Sequence, residues 1–370
     1  MNDTTSHSLQ FRRGARRGLA LLASAAIVAS MTAAASAENG PSDEDIISRS
    51  AWGVYNTSRV FEPWAEIPLS FDPGSPMTDV RLGTPAPKCE ARAAGYWASY
   101  ALEEGMIPGV MAPFGYKQNP TLARAANPPY AGSYGDAPVE SDVTPAGKDA
   151  GPDYHASCPS PLGGKATARH FHLGGQGFTI GAATTDTEQH FEPAQRLISG
   201  VTSTDLTDVD LGSVRVQQIG SYLKTDLKPD SAPVVSYKMT VQGIAGSSGG
   251  QAAPGDAVWV GNGVVLAGQN VPAGELVAQF NDQVKAHEKD LAQLGRYSVR
   301  ILAPKVETDA WNRYLIEAPV VDAGFGPKAR ERQTGHYQAV RLGISRFFGT
   351  YTEIAPGESA PQDSSKRPSS

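Results

Sequence analysis

Leu276, Phe280, Val284, His287, Leu291 and Leu294 recur at spacings of four, four, three, four and three. At ~100° per residue these six side chains fall within one arc of about 80° on a helix surface. Asn281, Asp282, Lys285, Glu288 and Lys289 lie outside the arc. Pro272 precedes the run, and Gly295 stands where a left-handed C-cap is wanted. The pattern predicts an amphipathic helix over 274–295. Burying its apolar stripe would contribute roughly 10 kcal/mol gross, at ~1.5–3 kcal/mol per large side chain.

The flanking sequence supplies a surface for that stripe. From Lys165 onward the chain reads as strands: 166–173, 177–184, 214–222 and 234–244. The last is the clearest, with Val235, Tyr237, Met239 and Val241 alternating with Ser236, Lys238, Thr240 and Gln242. Val258-Trp259-Val260 and Val264-Val265-Leu266 flank Gly261-Asn262-Gly263, and Asn-Gly between apolar runs predicts a hairpin. Strands follow the helix at 297–303, 314–321 and 338–351. Strands, hairpin, one helix and strands again argue against alternating βαβ units. The expected fold is α+β over 166–354: a mainly antiparallel sheet curved around one long amphipathic helix.

The preceding part, 38–165, reads as an irregular Pro/Gly- and aromatic-rich region. A helix starts near Ser42, with Asp43, Glu44 and Asp45 in its first turn. Trp52, Tyr55, Phe61, Trp64 and Phe71 are spaced irregularly among prolines, either as core rings or as a carbohydrate platform. Residues 89–104 suit a short helix. From 108 to 164 Pro, Gly and Tyr dominate, in a loop longer than compact domains usually carry. Cys89 and Cys158 bracket most of it. In an exported chain an even pair is read as one disulfide, closing a loop of about 70 residues and worth roughly 4 kcal/mol by chain entropy. Two free thiols are the alternative. Residues 355–370 read as a disordered tail.

The first 37 residues look like an export signal. Arg12, Arg13, Arg16 and Arg17 form a basic start, 19–31 is apolar, and Ala35-Ser36-Ala37 is an A-x-A cleavage site. Arg16-Arg17 also admits a twin-arginine route. No later apolar run reaches the ~18 residues of a membrane-spanning helix, so no integral membrane span is expected. Removing the signal leaves 28 basic against 37 acidic side chains, a net charge of −9. That balance disfavours nucleic acid and anionic membranes. Lys328, Arg330, Arg332, Arg341 and Arg346 form a local basic stretch, read as a solvated face.

Candidate chemistry is sparse. His170 and His172 stand at i and i+2 on an expected strand, so both should point to one face as imidazole ligands for zinc or copper. His155, His190, Glu188 and Glu192 are the nearby candidates for further ligands. With Phe171 and Leu173 toward the core, the same histidines would otherwise be solvent-facing. His287, inside the helix's apolar arc, reads as a buried structural histidine. Gly246-Ser247-Ser248-Gly249-Gly250 matches G-x-S-x-G, but β sequence follows where a nucleophile elbow needs a helix. Asp205, Asp208 and Asp210 lack the glycine and terminal glutamate of an EF-hand loop and read as turn residues. There is no H-E-x-x-H, dinucleotide fingerprint or P-loop, and no cofactor is implied.

Val209-Asp210-Leu211-Gly212, the strand Tyr237-Lys238-Met239-Thr240-Val241-Gln242-Gly243, Gly263-Val264-Val265-Leu266-Ala267-Gly268-Gln269 and Asn127-Pro128-Pro129-Tyr130 together resemble uncharacterised secreted proteins of actinobacteria. The resemblance covers about two thirds of the mature chain. It implies a secreted or cell-envelope role and transfers no site residues. The expected function is a secreted, non-catalytic protein binding a surface component or a small apolar ligand. A secreted metal-dependent hydrolase using His170 and His172 is one alternative. A structural or partner-binding protein presenting 108–164 is the other.

Overall fold

The computed structural model describes residues 41–63, 77–84, 86–94, 122–132, 135–143, 153–175, 178–210, 214–246, 258–269, 278, 281–282, 297–310, 312–325 and 339–354. Among the described residues nearly all the regular structure is antiparallel β-sheet and no helix is long, which overturns the α+β fold around one long helix. Among the described residues the longest helix is α1, Asp43–Ser48. It begins where expected, with a capping box between Ser42 and Asp45. Ala278, Asn281 and Asp282 are helical, and the rest of 274–295, His287 included, lies outside the described residues.

Two antiparallel sheets make the body. One contains β1 (Ser50–Pro63), β2 (Met77–Gly83), β3 (Lys88–Ala94) and β4 (Leu122–Asn127). A short hairpin follows, β5 (Tyr130–Gly132) and β6 (Gly135–Ala137). The second sheet runs in chain order: β7 (Glu140–Val143), β8 (Asp153–Ser160), β9 (Gly163–Gly175), β10 (Phe178–Glu192), β11 (Leu197–Asp210), β12 (Val214–Leu227), β13 (Val234–Gly246) and β14 (Val258–Gln269). The chain then returns to the first sheet as β15 (Tyr297–Leu302), β16 (Lys305–Thr308), β17 (Tyr314–Glu317), β18 (Val320–Phe325) and β19 (Ala339–Glu353). The order there is β15-β18-β19-β1-β2-β3-β4, with β17 also on β19 and β16 on β17.

The sheets stack face to face in matching order. β19 lies over β11 and β12, β1 over β10 and β11, β2 over β9 and β10, β3 over β8 and β9, and β4 over β7 and β8. This is a sandwich of aligned type, whose core comes from the inner faces of both layers. Trp52 of β1, Phe191 of β10 and Tyr351 of β19 form its aromatic centre, with Trp52–Phe191 centroids 4.5 Å apart and Phe191–Tyr351 5.6 Å. Cys89 of β3 and Cys158 of β8 are disulfide-bonded with Cα atoms 5.9 Å apart, so the bond ties one sheet to the other.

Midway along the sandwich the inner layer turns polar. Thr78 and Thr187 meet oxygen to oxygen at 2.8 Å across the gap, and Ser221 donates to Ser345 at 3.4 Å. Ser58 reaches Ser203 O at 2.8 Å and pairs with Thr204. All but Ser203 are at most 3% exposed. Asn56 of β1 lies in the space left by Gly200, where a Cβ would collide with its amide nitrogen.

The second sheet is creased. His172 of β9, Asp208 of β11 and Gly243 of β13 are left-handed, at φ 53°, 53° and 65°. Register pairs step over this row: Ala182↔Thr207 is followed by Ile180↔Val209, and Gln218↔Gln242 by Val216↔Ile244. Gly181 faces the row, and a Cβ there would meet the Asp208 Cβ at 2.9 Å. Inward-facing positions change parity across it, so Leu206 and Val209, or Ile219 and Val216, are both buried. Left-handed residues bend a strand and re-aim the side chains beyond it.

Several sequence expectations are corrected here. Described residues 88–94 form a strand, not a helix, and the described parts of 108–164 hold β4 to β8 and the start of β9. Asn262-Gly263 is not a turn: β14 runs through it, with Gly263 opposite Gln242. Asp205, Asp208 and Asp210 belong to strand β11 and not to a loop. The signal segment, Ser247–Gly250 and 355–370 lie outside the described residues. No helix among the described residues is long and apolar enough to cross a membrane.

Candidate functional site

The outer face of the second sheet carries a depression of about 490 Å³ over β10 to β13. Its floor is Gly220. Along β12 it is flanked by Gln218 and Tyr222; across the sheet Gly220 pairs with Asp205 on one side and Thr240 on the other. A Cβ built on Gly220 meets only the Thr240 Cβ, at an ordinary 3.8 Å, so the space above it is open. Thr184, Asp186, Ser203 and Lys238 complete the wall. Tyr222 is 37% exposed, presenting its ring to solvent on a strand where its neighbours Ser221 and Leu223 point inward.

The polar groups are held by cross-strand contacts. Gln218 donates to both Asp205 carboxylate oxygens at 3.0 and 3.2 Å, and Thr167 donates to Asp186 at 2.7 Å. Carboxylate acceptors, an ammonium and an amide donor, and three hydroxyls therefore surround a bare glycine floor beside an aromatic ring. Such a site can hydrogen-bond a ligand's hydroxyls in both directions and stack on a ring face.

The expected histidine pair falls differently. His170 is only 4% exposed and points inward, its ring centroid 5.1 Å from that of Tyr154. Burial pushes its pKa from 6.5 down to about 4. Phe171, expected in the core, is 52% exposed instead. His172 is exposed and sits on the crease, so the i, i+2 rule of a regular strand does not carry to it. His190 pairs with Glu188 at 2.6 Å. Among the described residues one group brings three ligand atoms together, Glu140, Asp142 and His155, within 4.8 Å of one another, with a His155–Asp142 contact of 2.6 Å. His170 and His172 are not part of it.

Of the basic stretch, Lys328, Arg330 and Arg332 lie outside the described residues, and the expectation is corrected at Arg346. Arg346 is not solvated: it bonds both Glu62 oxygens at 3.1 and 2.7 Å and Glu317 at 3.3 Å on the outer face of the first sheet. Burial there raises the Glu62 pKa, but hydrogen bonds from Arg346 and the charges of Arg346, Arg59 and Arg341 outweigh it, and the net shift is downward.

Sequence reading missed the depression. Its signal was present in the outward set Ser236, Lys238 and Thr240 of β13, but nothing local shows that Gly220 and Asp205 lie beside Thr240.

No family model matches the chain, and no curated protein matches it. Among solved structures it is similar to that of Pseudomonas aeruginosa OccK3 (OpdO), at 9% identity over 83% of this chain and 97% of that chain. The TM-score is 0.14, too low to bear on fold or function.

Proposed function

We propose that this is a secreted, non-catalytic protein that binds a polyhydroxylated component of the cell surface through the outer face of its second sheet. The observation that carries the reading is the Gly220 floor ringed by Asp205, Gln218, Lys238 and Thr240, with the Tyr222 ring at its edge. A sugar hydroxyl both donates and accepts, which suits a wall that mixes carboxylate oxygens with amide and ammonium donors. Pyranose rings carry an apolar face that suits Tyr222. The N-terminal sequence, which reads as an export signal, supports this reading, because such polymers lie outside the cytoplasmic membrane.

The test is calorimetric titration with soluble polysaccharide extracted from the envelope of the producing cells. Binding is expected for the native protein and lost in Tyr222→Ala. Equal binding by both proteins, or none by the native one, contradicts the reading.

A further inference from the structure

A second depression, of about 270 Å³, lies on the same face near the sheet edge. It is lined by Asp153, His155, Lys165, Thr167 and Arg169 of β8 and β9. The strand register joins it to the first. Thr167 is opposite Asp186, Asp186 opposite Ser203, and Ser203 opposite Tyr222. His155 extends this row on one side and Lys238 on the other. A parallel row, one pleat away, runs Arg169, Thr184, Asp205, Gly220 and Thr240. The Thr167–Asp186 hydrogen bond lies between the two depressions.

We infer that the two depressions are ends of one track, and that its occupant is a linear, neutral polysaccharide lying across the strands. This rests on the function proposed above and specifies its ligand. Three features select that occupant. First, both depressions open on the same face and are continuous along the register. Second, the track crosses five strand spacings from β8 to β13, about 24 Å at ~4.8 Å per step. An extended pyranose chain advances by roughly one such step per sugar, so about five sugars fill it. Third, the track carries both signs of charge. Arg169 stands toward one end and Lys238 at the other, with Asp186 and Asp205 between them, so a polyanion or a polycation would meet like charges while a neutral chain meets only hydrogen-bonding groups.

The experiment uses size-fractionated fragments of the same envelope polysaccharide, from about two to about seven sugars, bracketing the number set by the strand spacing. They are titrated into the whole protein and into a Lys165→Ala, Arg169→Ala double variant whose fold is checked by circular dichroism. Both positions lie outside the Gly220 depression. Affinity is expected to climb at least tenfold from two sugars to about five and then level off. The double variant should lose most of that gain while binding the shortest fragments as the native protein does. An affinity independent of length, with Tyr222→Ala still abolishing binding, overturns the track and leaves the Gly220 site standing. Absence of binding at every length removes both.

Discussion

Cys89 and Cys158 join β3 to β8, so the single disulfide crosses from one layer of the sandwich to the other. Gly164 makes room for it: a Cβ there would collide with the Cys89 sulfur. The bond closes a sequence separation of 69 residues. By chain entropy it contributes about 4 kcal/mol. Cys89→Ala with Cys158→Ala should lower the unfolding free energy by that order, read from the shift of the denaturant midpoint, while retaining the β-type circular dichroism. An unchanged midpoint would show that the sheets hold without it.

Trp52 is 1% exposed and packs on Phe191 from the opposite sheet. Replacing it by alanine leaves a cavity between the layers, and a cost of about 3–5 kcal/mol is expected for truncating a buried ring of this size. Equilibrium unfolding in urea, followed by circular dichroism, measures it. A loss below about 1 kcal/mol would place the ring outside the cooperative core.

His170 makes stability depend on pH. Its folded pKa is about 4 against 6.5 for an ordinary imidazole, so between those values the unfolded chain binds the extra proton. Stability is therefore full above 6.5, falls as the pH drops, and the contribution is gone near 4. The loss is of the order of 3 kcal/mol. Urea midpoints of native protein and His170→Phe, compared at neutral pH and near pH 4, isolate it. The variant should show the smaller drop, and equal drops would mean that carboxylates such as Glu62 account for the whole acid effect.

Gly220→Val separates binding from folding. A Cβ at this position meets nothing closer than the Thr240 Cβ at 3.8 Å, and valine suits a strand better than glycine. Thermal stability should stay level or rise slightly, whereas affinity for envelope polysaccharide should fall by tenfold or more. Retained affinity in a stable variant would take the ligand away from this depression.

Much of the strand content was legible from alternation, but the sandwich was not. Residues 234–244 alternate cleanly because Val235, Tyr237, Met239 and Val241 face an apolar part of the core. β11 carries no clear alternation because its inward residues include Thr202 and Thr204, which face the polar layer between the sheets and resemble surface residues in sequence, and its Asp205, Asp208 and Asp210 read as turn residues. β14 was split because Asn-Gly is usually a turn, whereas here Gly263 is paired within a long strand. The histidine pair failed for a local reason: His172 is left-handed, and one such residue cancels the two-residue period on which the reading depended. The disulfide was legible because pairing two cysteines required no knowledge of the fold. The depression was not, because Asp205, Gly220 and Thr240 become neighbours only through the register of three strands.

The most direct measurement is hydrogen exchange of the backbone amides, with and without envelope polysaccharide at saturation. The account predicts slowed exchange concentrated in β10 to β13 around Thr184, Asp205, Gly220 and Lys238, and absent from Tyr222→Ala. Unchanged exchange there, or protection confined to the first sheet, would contradict it.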